Sequence, residues 1–525
     1  MGPFNPDGSF AAVPAGGRLK RAAVRGAGAT VFAAGISFAV QLGAMVVLAR
    51  LLTPADFGVV AMVTTFSLLL ESFGMAGFTE AILQREDVTH GLASNLFWIN
   101  VAVAIALAGG FVAASALLAG FYHDPLVRGA AEGMAGVVAI NALAVVPLAL
   151  LQRGMRFGAV SKVNVAARIA QVTASIILAF AGWGFWALVA GYFAHRTTRA
   201  AGALGACRWL PGLPGRAEGT RDSLAFGLKI YGRYAMGYGV NNTDNLLVGW
   251  RFSASALGFY KKAYDIFVLP ANQLTAPVWS VVITTLSRVR QDMAQYRRYL
   301  LAAIGVLAFA GMGIGADFTL VGRDLVRFLL GSQWGEAGRI FQLFGPGIGV
   351  MLLYAATGWI HVSIGRPDRW LRWGVVELAL TTGLFVAALP FGPRGVAAAW
   401  TTAYFLLAIP GFWYAGKPIA LGARTITATV WRFALASALA GLAAYLLLHT
   451  LGLFATAPGA FGALERAVWG TALFAALYAA AVVALHRGLA PFRQLHSLAA
   501  ELRPAPRGAY SSKPPEADAA PCGAE

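Results

Sequence analysis

The feature that most constrains this chain is a series of long apolar runs without alternation, such as GATVFAAGISFAVQLGAMVVLA near the start. A helix crossing about 30 Å of hydrocarbon needs about 20 largely apolar residues, whereas a membrane-spanning strand alternates over segments of about 10. The runs therefore predict helices. They fall at about 28–49, 57–79, 94–120, 130–151, 163–182, 184–205, 223–250, 258–286, 299–321, 337–364, 371–390, 394–415, 431–452 and 464–486. That gives fourteen segments, with twelve left open because several carry polar residues and only GWG parts the fifth from the sixth. With 58% of its 525 residues hydrophobic and 12% charged, against about 25% charged in soluble domains, the chain reads as an all-α polytopic membrane protein.

A net charge of +18 would suggest nucleic acid in a soluble chain, but in a membrane protein basic residues gather in cytoplasmic loops. Read that way, one set of loops holds Arg18, Lys20, Arg153, Arg156, Lys162, Arg196, Arg199 and Arg208 among others, and exceeds the opposite set by more than two to one. The excess predicts both termini in the cytoplasm and no nucleic-acid partner. Cys207 and Cys522 are too few and too far apart for a disulfide framework or a metal site. The N-terminal RLKRAAVR resembles the basic region of a secretory signal, yet the apolar run behind it is too long for a cleaved one, and it reads as a retained first helix.

The Pro-, Gly- and Arg-rich stretch CRWLPGLPGRAEGTRDS near the middle reads as an exposed linker. The expected organisation is a cytoplasmic segment (1–27), a first lobe of six helices (28–206), the linker (207–222), a second lobe of six (223–415), two further helices (416–487) and a disordered cytoplasmic tail (488–525). A repeat supports the two lobes. LARLLTPADFGVVAM (48–62) laid over VGWRFSASALGFYKK (248–262) brings Gly58 onto Gly258 and Thr53 onto Ser253. In both, a helix runs into a hydroxyl-bearing turn and restarts, with Thr53 as a helix cap and Pro54 as first helical residue. Duplicated bundles of this kind bind substrate between lobes near mid-membrane.

The stretch DSLAFGLKIYGRYAMGYGVNNTDNLLVGW (222–250) carries Lys229, Arg233 and Asp244 in a segment as long as a bilayer is thick. Each charge costs roughly 2.5–3.5 kcal/mol at the centre of a spanning helix. On one continuous helix the three share a face, with Lys229 and Arg233 about 6 Å apart and Asp244 about 16 Å beyond. Two unpaired cations are tolerable if they face a hydrated lumen, where an anionic substrate would pair with them; Lys229 also reads as a residue snorkelling to the interface. Arg168 is a further candidate for the same anion. Glu71, deep in the second segment, reads either as a coupling-ion or proton site or as a hydrogen-bonded acid at a helix contact. Asp244 and Asn241 are candidate polar residues of the cavity, Glu80 also looks buried, and Asp317 and Glu377 read as interfacial. No G-x-x-x-x-G-K-[ST], H-E-x-x-H or G-x-S-x-G occurs, and no metal-ligand spacing is present.

The run LARLLTPADFGVVAMV, then AILQREDVTHGLASNLFWINV, LLQRGMRF, NNTDNLLVGWRFSASALGFYKKAYDIFVLPANQL and SIGRPD, resembles the polysaccharide transporter branch of the multidrug/oligosaccharidyl-lipid/polysaccharide superfamily. Within it the likeness is to Wzx-type flippases and the colanic acid exporter group, called lipopolysaccharide biosynthesis proteins, over roughly residues 28 to 420. The resemblance implies a MATE-like fold of two six-helix lobes related by a pseudo-twofold axis, a central cavity and alternating access. It also implies transport of an undecaprenyl-diphosphate-linked oligosaccharide, no covalent chemistry and no cofactor. Proton, sodium or membrane potential would supply the coupling, and the implied partners are membrane lipids, a glycan polymerase and export machinery. A drug antiporter of the same superfamily would have an acidic lumen, and a glycan polymerase or ligase a large external loop; Lys229 and Arg233 argue against the first, the short loops against the second.

Overall fold

The computed structural model describes residues 3–10, 17–85, 87–215, 220–450, 459–489 and 492–493. The tail beyond 493, and the side chains of Lys229, Arg233 and Glu80, lie outside the described residues. The chain order is α1 (Gly17–Leu51), α2 (Pro54–Gln84), α3 (His90–Ala113), α4 (Ser115–Tyr122), α5 (Leu126–Arg153), α6 (Phe157–Phe180), α7 (Phe185–Cys207) and α8 (Thr220–Val240). It continues with α9 (Thr243–Arg251), α10 (Ala254–Arg288), α11 (Met293–Leu330), α12 (Gly335–Ser363), α13 (Pro367–Ala388), α14 (Gly392–Gly416), α15 (Ala423–Thr450) and α16 (Gly459–His486).

Among the described residues ten stretches are long and apolar enough to cross a membrane, and one of them, Asp368–Ile419, holds nearly all of α13 and all of α14. The protein is an all-α, multi-pass membrane protein. All fourteen apolar segments lie on helices, but the third is divided at Ala114 and the seventh at Asn241–Asn242. At the second break the Asn241 and Asn242 amides donate back to the Gly237 and Tyr238 carbonyls. Side-chain bonds of this kind compete with the helix ladder, so the single-helix register that put Asp244 on one face with Lys229 and Arg233 does not hold. Large apolar side chains such as Val375, Leu406, Ile409, Leu442 and Trp469 are exposed, as on a surface that meets lipid rather than water.

Helix starts follow their caps. Thr53 accepts from the Asp56 amide, while the Asp56 carboxylate accepts from the Thr53 amide and hydroxyl; Ser253 accepts from the Ala256 amide in the equivalent place. In the first half α2 packs on α5, α5 on α3 and α7, and α6 on α1 and α7. In the second, α11 packs on α12, α15 and α16, and α12 on α10 and α14. Gly315 lies against the Gly345 carbonyl and Gly349 against that of Gly311, a small-residue contact that lets α11 and α12 approach closely. One apolar core runs through both halves, from Met62, Val63 and Met134 to Tyr260, Phe267, Trp334 and Phe344.

Residues 208–215 of the linker, mostly exposed, are tied to α3. Gly215 exchanges two hydrogen bonds with the Asn95 amide (2.7 and 3.0 Å), Gly212 donates to Ser94, and Trp98 donates to the Gly212 carbonyl. Phe4 also packs edge-on against His90 and tilted against Trp209.

Candidate functional site

Glu71 stands eighteenth in α2 and is 5% exposed. A buried carboxylate without a partner would be too costly to keep charged, and the partner is Arg196 of α7, whose Nε and Nη2 both lie 2.7 Å from Oε2. The third guanidinium nitrogen, Nη1, meets His195 Nδ1 at 2.9 Å. Arginine can only donate, so this ring nitrogen accepts and the imidazole proton sits on Nε2. One helical turn on, Arg199 Nη1 donates to Asn141 Oδ1 of α5 at 3.3 Å. The other carboxylate oxygen of Glu71, Oε1, is buried and has no hydrogen-bond partner among the described residues. Glu71 borders a small recess walled by Asn100 of α3 and by Asn141 and Val138 of α5.

Arg168, on α6, donates to Gln171 at 2.9 Å. It lies close enough to Arg196 to be repelled by it, and both, with Arg199, act on His195. Arg196 and Arg199 thus both act on the Glu71 carboxylate, and Arg168 stands close to Arg196. Tyr192 of α7 lies near Arg168 and Arg196 of its own half and near Lys261 and Asp265 of α10. Lys261 is itself paired with Asp265 at 2.7 Å.

Asp244 is 3% exposed and accepts from the Tyr260 hydroxyl and the Asn245 amide, both at 2.8 Å. These bonds make it part of the α9–α10 packing. Asn241 is exposed and bonded to its own helix. Glu377 lies well inside α13, not at its end, and meets Tyr354; Asp317 accepts from Thr471 at 3.1 Å. Asp244 and Glu377 both act on Tyr404.

Of the expected anion ligands, Arg168 joins the cluster. The helix bearing Lys229 and Arg233 packs on α2, with Tyr231 and Tyr238 donating to the Leu69 and Thr64 carbonyls at 3.3 and 3.4 Å. Arg196 and Arg199 correct a second expectation: they are not loop residues but lie inside α7, eleven and fourteen residues past its first residue, Phe185. The sequence held two signals for this. Both arginines fall within the sixth apolar segment, and Glu71 was a deep acid in need of a cation.

A family model described as polysaccharide biosynthesis protein matches residues 47–339, more than half of the chain. The chain belongs to the polysaccharide biosynthesis protein family. Among curated members it is 23% identical over 406 residues to the lipopolysaccharide biosynthesis protein WzxC of Escherichia coli, covering 74% of this chain and 79% of that one. It is 21% identical over 347 residues to the succinoglycan biosynthesis transport protein ExoT of Rhizobium meliloti, covering 66% and 70%. The fold is that of the lipid II flippase MurJ in an inward closed conformation, with a TM-score of 0.71 at 12% identity over 88% of this chain and 99% of that one. An inward-facing MATE multidrug transporter matches with a TM-score of 0.57 at 14% identity, covering 73% and 94%. This member thus shares its fold with these two transporters.

Proposed function

We propose that this polysaccharide biosynthesis protein flips a lipid-linked oligosaccharide across the bacterial inner membrane by alternating access, without covalent chemistry. The carrier is an undecaprenyl diphosphate, the glycan a repeat unit of an exopolysaccharide or O-antigen, and both termini are cytoplasmic. The observation that carries this reading is the cluster of Arg168, Arg196 and Arg199, in which only Arg196 is paired with an acid, Glu71. Guanidinium groups match a diphosphate in sign and in bidentate geometry. The chemistry of a drug-cation antiporter would ask for the opposite sign at this place.

A pair such as Glu71–Arg196 reduces the cost of keeping two charges at membrane depth, and it holds Arg196 in one rotamer beside Arg168. Energy comes from a proton or sodium gradient or from the membrane potential, which is worth about 2.3 kcal/mol per charge per 100 mV. Glu71, engaged by Arg196 through one oxygen only, and Asp244, held by Tyr260 and Asn245, are the two acids for coupling. A glycan polymerase and export machinery take up the product.

Deletion of the gene in its host is expected to make undecaprenyl-diphosphate-linked oligosaccharide accumulate on the cytoplasmic side, and the wild-type chain to clear it. Failure of that lipid to accumulate, together with altered drug sensitivity, would replace this reading with export of small molecules.

A further inference from the structure

The two copies of the repeat touch each other. A Cβ built on Gly58 would lie 1.7 Å from the carbonyl oxygen of Ala254, and one built on Gly258 would lie 1.9 Å from that of Pro54. In the 200-residue offset that relates the copies, Gly58 answers to Gly258 and Pro54 to Ala254. The contact is therefore reciprocal, each glycine resting on the first turn of the other's helix, as across a twofold axis. A carbon–oxygen contact normally needs about 3.3 Å, so either alanine would force α2 and α10 apart by roughly 1.5 Å at their N-terminal ends. The obstacle is backbone and cannot turn aside.

Everything around this point holds the same end shut. Arg50 donates to the Phe328 carbonyl at 3.0 Å, and Gln333 and Trp334 both donate to the Ala49 carbonyl. Trp334, fully buried, takes Phe57 and Phe259 edge-on, and Lys262 lies 3.9 Å over the Phe57 ring. Phe121 and Trp250 stack beside them. By the proposed orientation this is the outer end.

We infer that Gly58 and Gly258 are paired positioning residues of the transport cycle: their missing side chains permit the state that is closed outside, and the contact parts when the outer end opens. The inference rests on the alternating-access reading, but its main readout, a distance distribution in the purified chain, does not depend on what is carried. Spin labels at Trp183 and Phe391, exposed in the turns before α7 and α14, report the outer end in a Cys207→Ala, Cys522→Ala background. A second pair at Leu213 and Arg290, both exposed, reports the inner end.

Gly58→Ala and Gly258→Ala are each expected to lengthen the outer distance and shorten the inner one. The double variant should add less than the sum, because both open one contact. Gly43→Ala, where a Cβ meets nothing within 4 Å, should change neither. Distances unchanged in both glycine variants, with only a lower melting temperature, would reduce the contact to static packing and overturn the inference. If the variants do not fold, a cleavable bismaleimide bridge between cysteines at Ala55 and Ser255 of the otherwise native sequence takes their place. The bridge is expected to stop clearance of the lipid-linked oligosaccharide until it is cleaved, and clearance with the bridge intact would overturn the inference.

Discussion

The outer contact between α2 and α10 and the arginine cluster beside α7 are both close meetings of distant residues, yet they are built on opposite terms. At the outer end backbone meets backbone through glycine, the caps are local, and apolar and aromatic groups do the sealing. In the cluster, long charged side chains meet across α2, α6 and α7, and Arg196 and Arg199 are held by partners far away in sequence, Glu71 and Asn141. The first kind of contact can part and re-form with little cost in solvation. The Glu71–Arg196 pair at the centre of the second cannot lose a member without leaving a charge buried, which suits a fixed binding surface better than a moving seam.

The sharpest way to break this comparison is to remove one side of the buried pair. Arg196→Ala leaves Glu71 unpaired and is expected to destabilise the folded chain by about 3–5 kcal/mol, measured as loss of folded protein in detergent on heating. The pair-neutral variant Glu71→Gln, Arg196→Gln should regain most of that stability while still failing to clear the lipid-linked oligosaccharide. Recovery of clearance in the double variant would show that the pair is structural only.

The outer turns should respond much less and symmetrically. Thr53→Ala and Ser253→Ala each remove one helix cap and are expected to cost about 1 kcal/mol, seen as similar small drops in melting temperature. A loss several times larger at Thr53 would show that its bonds with Asp56 do more than cap a helix and that the two turns are not equivalent.

Much of this was legible beforehand for a physical reason: length and hydropathy are local, so fourteen apolar segments located the helices, and Thr53, Ser253 and the two glycines marked their turns. The same locality explains the misses. A helical wheel drawn through residues 229–244 assumed a continuous ladder that the Asn241 and Asn242 side chains interrupt. Counting basic residues by loop placed Arg196 and Arg199 outside the bilayer, because nothing near them in sequence announces Glu71, 125 residues away. The bonds that tie the linker to Ser94, Asn95 and Trp98 were not legible either, because those partners belong to another helix.

The central claim is that the cluster binds an anionic lipid head group, and affinity tests it most directly. Arg168 suits the purpose because it bonds Gln171 and is not part of the Glu71 pair. Binding of undecaprenyl diphosphate to the purified chain in nanodiscs would be compared with Arg168→Gln over a series of salt concentrations. Loss of a charge-assisted contact worth about 1.5–3 kcal/mol predicts affinity weakened roughly tenfold or more, with a shallower salt dependence than wild type. Equal affinity and equal salt dependence in the two proteins would contradict the account.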